Sequence, residues 1–141
     1  MKSADYQRLY DAVTRVAKQA YAPYSQFAVG AALLMKDGQI ITGANVENAS
    51  YGLSNCAERS ALFTAYSLGY RQNDINGMMI IGPTLGPVSP CGACRQVMAE
   101  LINPDVEVVM TNWEKQDLVV KVKDLLPFRF AKDDLDGRKQ V

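Results

Sequence analysis

The residues best suited to chemistry are three cysteines, Cys56, Cys91 and Cys94, and one glutamate, Glu58. Cys91-Gly-Ala-Cys94 is a Cys-x-x-Cys pair following Pro90. Alone, such a pair reads as a redox couple, half of a four-cysteine structural zinc site, or two buried small side chains. Cys56-Ala57-Glu58 shifts the balance towards metal, because it adds the only remaining cysteine at the start of another predicted helix. Three thiolates without histidine or a fourth cysteine cannot close a structural tetrahedral site. They leave one position open, the arrangement of a catalytic zinc carrying water. Two helix N-termini aimed at the ion lower the thiol pKa values. Cys91 and Cys94, at i and i+3 of one turn, can reach a single ion. Glu58, two residues past Cys56, can stand over the open position. Three merely buried small hydrophobes would explain neither the spacing nor the helix-start placement.

The chain contains no histidine. That removes Ser-His-Asp and Cys-His catalysis and every histidine-based metal site. Proton transfer near neutral pH then falls to a carboxylate, Lys, Tyr or Cys. Fifteen basic residues balance fifteen acidic ones, so no overall field favours a polyanion or an anionic membrane. Neither a nucleic-acid nor a membrane partner is expected. The first residues lack the apolar stretch of a secretory signal. The longest apolar run, Phe27 to Met35, is nine residues, against the roughly 20 a membrane helix needs. An odd number of cysteines suits a reduced cytoplasmic protein better than a disulfide framework.

The elements that must position these residues follow from periodicity. Residues 1–141 read as one domain. Leu9, Val13, Val16, Ala17 and Ala20 predict an amphipathic helix over Asp5 to Tyr21, ended by Ala22-Pro23. Phe27 to Met35 and Gln39 to Val46 predict strands joined by a tight turn at Asp37-Gly38. Ala57, Ala61, Leu62, Ala65 and Leu68 predict a helix from Cys56 to Leu68, with Gly69 as its stop. Met78 to Ile81 reads as a strand covered on both faces. A helix over Cys91 to Leu101, strands at Val106 to Met110 and Leu118 to Val122, and a partly helical tail complete the pattern. The predicted class is α/β: a three-layer α/β/α sandwich around a mixed five-stranded sheet. In such folds ligands gather at the carboxyl ends of strands.

With Cys-Ala-Glu at 56–58 and Pro-Cys-x-x-Cys at 90–94, the sequence resembles the cytidine deaminases, in their short, all-cysteine-ligand form. Further segments agree: Ala-Pro-Tyr-Ser-x-Phe (22–27), Val-Gly-Ala-Ala-Leu (29–33), Asn-Val-Glu-Asn-Ala-Ser-Tyr (45–51) and Leu-Leu-Pro-x-x-Phe (125–130). The resemblance implies zinc-dependent hydrolytic deamination of free cytidine and 2′-deoxycytidine, with one zinc per subunit. It implies Cys56, Cys91 and Cys94 as ligands and Glu58 as the proton shuttle. It adds Ala57 to the substrate-binding residues and makes Asn45 and Glu47 the pair that hydrogen-bonds the ribose. Taken on their own, Asn45 and Glu47 read equally as a turn residue and a solvated charge.

Phe27 and Phe130 are implied as apolar walls for the pyrimidine and sugar. Family members place the equivalents of Tyr51 and Phe130 in a neighbouring subunit's site, which implies a homotetramer with shared active sites. Three thiolates on a divalent ion leave a net charge of −1, which a cation beside Cys56 can offset. The resemblance gives that part to Arg59, with Arg95 as a helper. Relatives acting on blasticidin S lack the Asn-x-Glu-Asn of residues 45–48. Polynucleotide editors usually use histidine as first ligand, which this chain cannot.

Overall fold

The computed structural model describes residues 1–137. Five strands form one sheet: β1 (Gly30–Met35), β2 (Ile40–Ala44), β3 (Ile75–Gly82), β4 (Glu107–Asn112) and β5 (Leu118–Lys121). Their spatial order is β2-β1-β3-β4-β5, with β3 and β4 parallel and every other neighbouring pair antiparallel. The helices are α1 (Ser3–Ala17), α2 (Ala57–Ser67), α3 (Gly92–Leu101), α4 (Val122–Leu125) and α5 (Lys132–Asp136). The expected mixed sheet and three layers are both present. The fifth strand stops at Lys121, one residue early, because Val122 starts α4. In the expected tail α5 is helical, and residues 138–141 lie outside the described residues.

The sheet is apolar on both faces because neighbouring residues serve opposite layers. Leu9, Ala12, Val13 and Ala17 of α1 pack with Ala32, Leu34, Met79 and Ile81. Ala61, Leu62 and Ala65 of α2 and Met98 of α3 pack with Leu33, Met35, Met78 and Ile80. Met78 to Ile81 thus alternates between two cores, so its sequence shows no polar side. Leu62 and Met98 are fully buried, each contributing about 1.5–3 kcal/mol by transfer from water.

Two boundaries differ from the sequence reading for one reason. The first helix ends at Ala17 and the second strand at Ala44. Beyond these points Tyr21 and Val46 pair with each other, and Val46 also pairs with Asn55. Tyr21 N–H donates to the Asn45 carbonyl and Glu47 N–H to the Tyr21 carbonyl. The chain after α1 is thereby held against the chain after β2, and neither helix nor ladder continues. The two turn glycines behave as expected: Gly38 has φ +88° and Gly69 φ +98°, where a side chain would be strained.

Gly43 has a different job. A Cβ there would meet the backbone of α2, 2.7 Å from the Ala57 carbonyl oxygen and closer still to the Ala61 nitrogen. Strand and helix touch backbone to backbone, immediately beside the segment carrying Cys56 and Glu58. Gly43→Ala is expected to lower stability by about 1–3 kcal/mol through overpacking, read as a drop in the thermal midpoint. An unchanged midpoint would show that α2 can move away freely.

Candidate active site

β2, β3 and β4 run in the same direction, so their carboxyl ends share one edge of the sheet. α2 follows β2 and α3 follows β3, which brings both helix starts to that edge. Cys56 is the N-cap of α2 and Cys91 the N-cap of α3, and neither helix start has a side-chain cap hydrogen bond. Cys94 lies in the first turn of α3 and is buried, Cys56 is half-buried, and Cys91 is exposed. Their three Sγ atoms lie within 4.8 Å of one another, and Cys56 and Cys91 are 3.8 Å apart.

This donor set fits zinc. Zn–S bonds of about 2.3 Å at tetrahedral angles separate sulfurs by about 3.8 Å. The dipoles of two helices favour negative charge at the same point. Arg59 adds a full cation, its Nη2 donating to Cys56 Sγ at 3.2 Å. The hydrogen bond from Cys94, helped by Arg59, pulls the Cys56 thiol down to about 5 against its burial. Cys94, donating that bond and buried, is pushed up. The neighbouring thiol and the Arg59 guanidinium thus favour the thiolate form of Cys56.

A cavity of about 320 Å³ opens beside this cluster, lined by Ser25, Phe27, Val29, Asn45, Glu47, Cys56, Ala57, Glu58, Val88, Ser89 and Cys91. Glu58 is only 5% exposed, and burial raises its carboxyl above the ordinary carboxylate range, with the Cys56 charge adding to it. A carboxyl so placed can exchange protons with a ligand and stay shielded from water. The Asn45 side chain ties down the segment leading into β1, accepting from Val29 N–H at 2.9 Å and donating to the Phe27 carbonyl at 2.8 Å. Glu47 Oε1 accepts from the Tyr24 and Ser25 amides, each at 3.1 Å.

The structure thus gathers Phe27, Asn45, Glu47, Ala57, Glu58 and two of the cysteines around one cavity, with Cys94 behind them. It does not bring every candidate there. Tyr51 lines an adjoining depression with Tyr24 and Glu47, its ring edge-on to Tyr24 at 5.8 Å. It is 74% exposed and Phe130 60% exposed, and neither figures among the described residues lining the cavity. Arg95 turns to three oxygens, donating to the Pro90 carbonyl, the Leu125 carbonyl and Ser89 Oγ. It braces the loop entering Cys91, and none of these bonds goes to sulfur. Ser25 and Val29 stand inside motifs of the sequence reading but have no role at the site there, and neither do Val88 and Ser89. They come to the cavity from the segment before β1 and the loop before α3, and their residue types alone assign them no chemistry.

Comparison with known proteins places this geometry. Residues 3–110 match the model of the cytidine and deoxycytidylate deaminase zinc-binding region. A cytidine deaminase of Halalkalibacterium halodurans is 52% identical over 94% of this chain and 98% of its own. A probable cytidine deaminase of Dictyostelium discoideum is 39% identical over 99% of this chain and 93% of its own. The crystal structure of cytidine deaminase from Burkholderia pseudomallei superposes with a TM-score of 0.87 at 51% identity, covering 92% of this chain and all of that one. That from Mycobacterium tuberculosis gives 0.75 at 36% identity, covering 89% and 97%. By sequence, fold and the cysteine trio together, the chain belongs to the cytidine and deoxycytidylate deaminase family.

Proposed function

We propose that the protein hydrolyses the exocyclic amine of free cytidine and 2′-deoxycytidine, giving uridine or 2′-deoxyuridine and ammonia. The observation that carries this reading is the buried Glu58 carboxyl sharing one nucleoside-sized cavity with the three-sulfur cluster. Zinc held by Cys56, Cys91 and Cys94 supplies a Lewis acid that makes water nucleophilic near neutral pH. Glu58 takes a proton from the attacking water and delivers it to N3 of the ring, which makes C4 electrophilic. The same carboxyl then takes the second proton of the former water from the new C4 hydroxyl. It hands that proton to the amine as the C4–N bond breaks, so a C4 carbonyl remains and ammonia leaves uncharged. Its shielded position strengthens these hydrogen bonds as charge develops.

The remaining residues hold the substrate. Phe27 supports the face of the pyrimidine, the Ala57 segment lies against its edge, and Asn45 and Glu47 take the sugar hydroxyls. Arg59 offsets the excess negative charge of three thiolates on a divalent ion. Residues 1–141 act as one domain in a homotetramer, with Tyr51 and Phe130 entering a neighbour's site. Support for that assembly is the exposure of both rings away from the chain's own cavity. Among the described residues no helix is long and apolar enough to cross a membrane. Three free thiols at one site suit a reducing compartment, and the cytoplasm is the proposed location.

A single series tests this reading. Ammonia release is measured with cytidine, 2′-deoxycytidine, blasticidin S and a cytosine-containing single-stranded oligonucleotide, on protein sized by light scattering. Turnover of the first two alone, by a particle of four chains, is the expected result. Activity confined to blasticidin S or the oligonucleotide would overturn the substrate, and a monomer with full activity would overturn the shared sites.

A further inference from the structure

Glu47 is held more tightly than a partly exposed carboxylate at a cavity wall needs to be. Both amide bonds reach Oε1 from Tyr24 and Ser25, and the Ser25 hydroxyl donates to Oε2. The same hydroxyl accepts the Phe27 N–H at 3.1 Å. Ser25 therefore stands between the carboxylate at the sugar end of the cavity and the backbone of the aromatic wall. Its single proton is committed to Glu47, so it has none to offer a ligand.

The loop conformation depends on this arrangement. Gln26 has φ +55°, a left-handed conformation that a non-glycine residue adopts only when its surroundings enforce it. Its N–H closes the turn on the Ala22 carbonyl at 2.9 Å, and the next residue is Phe27. The bonds from residues 24 and 25 to Glu47 are the tertiary hydrogen bonds made within the turn itself, beside those that Asn45 makes to Phe27 and Val29 after it. The bond from Ser25, foremost among these contacts, also keeps the Glu47 carboxyl below its ordinary range and ionised.

We propose that Ser25 is a positioning residue for sugar recognition: its hydroxyl fixes the Glu47 carboxylate so that Oε2 presents one remaining acceptor to the sugar hydroxyls. This rests on the nucleoside reading given above. A charge-assisted hydrogen bond to an oriented carboxylate discriminates strongly, whereas a carboxylate free to rotate loses that advantage to water. Ser25 acts through Glu47 and leaves the proton transfers at Glu58 untouched. Its removal should thus weaken binding of hydroxylated sugars in ground and transition states alike, raising KM with kcat unchanged.

The test is steady-state kinetics of the zinc-loaded wild type, Ser25→Ala and Ser25→Thr with cytidine and 2′,3′-dideoxycytidine. Cytidine carries the 2′- and 3′-hydroxyls and the dideoxy compound carries neither, while both keep the 5′-hydroxyl. Ser25→Ala should raise KM for cytidine about tenfold with kcat within about threefold, and leave KM for 2′,3′-dideoxycytidine unchanged. Ser25→Thr, which keeps the hydroxyl, should restore the cytidine KM. Equal loss on both substrates, a fall in kcat alone, or a threonine variant as impaired as alanine would overturn the proposal by showing general loop damage. An unchanged cytidine KM in Ser25→Ala would overturn it directly. Wild-type protein inert on both nucleosides would instead overturn the nucleoside reading, and this proposal with it.

Discussion

Glu58→Gln should leave the chain folded and zinc-loaded while lowering kcat for cytidine by at least the 10²–10⁴-fold, roughly, that one positioned acid–base group supplies. Glutamine has nearly the same shape and suits a site where burial already favours the uncharged carboxyl. Packing around α2 and affinity for the nucleoside should therefore change little. The amide can neither accept the proton from water nor return it to N3 and the amine, so both transfers fail together. No histidine exists to substitute. The other carboxylate of the cavity, Glu47, is tied to the Tyr24–Ser25 loop. Stopped-assay turnover beside zinc analysis checks this, and near wild-type turnover in a zinc-loaded variant would end the assignment of Glu58.

Cys94→Ala should abolish activity by a different route, through loss of the metal. Cys94 is the buried member of the trio, behind the half-buried Cys56 and exposed Cys91. Alanine leaves two sulfurs, one of them open to solvent, for an ion that needs three protein ligands at such sites. Zinc per chain, measured after dialysis, should fall from one to near zero, and turnover with it. Because metal that binds only the folded chain stabilises it, the thermal midpoint should also drop, and a chelator should lower the wild type towards the variant. A variant retaining stoichiometric zinc would show that Cys94 is not a ligand.

What could be read beforehand divides along a physical line. Cys91-x-x-Cys94 and Cys56-x-Glu58 are local spacings at helix starts, and local spacing survives into structure because a helix turn has fixed geometry. The sheet and its two covered faces followed from runs such as Met78 to Ile81, whose apolar character has no alternative use. The hairpin followed from Asp37-Gly38. The Tyr21–Val46–Asn55 pairing was not legible, since isolated pairing between distant segments leaves no periodicity. It shortened α1 and β2 relative to their patterns. The partners of Arg95 were equally hidden: a cation after a cysteine suggested charge compensation, and only the approach of Ser89, Pro90 and Leu125 showed three oxygens within reach. Ser25 lay inside a noticed motif, but its bond to Glu47 spans 22 positions.

The absence of a side chain at Gly43 also bears on how this sequence can drift. Where layers are spaced by side chains, each core replacement resets the separation by a fraction of an ångström. Here the separation of β2 from α2 is set by main-chain atoms that every replacement shares. Leu62, Ala65 or Ile41 can thus change in size with the strain taken up towards the far end of the helix. The end bearing Cys56 and Glu58 acts as a pivot. The distance from sheet to reacting group is inherited from the backbone, leaving the surrounding core free to vary around a fixed reference.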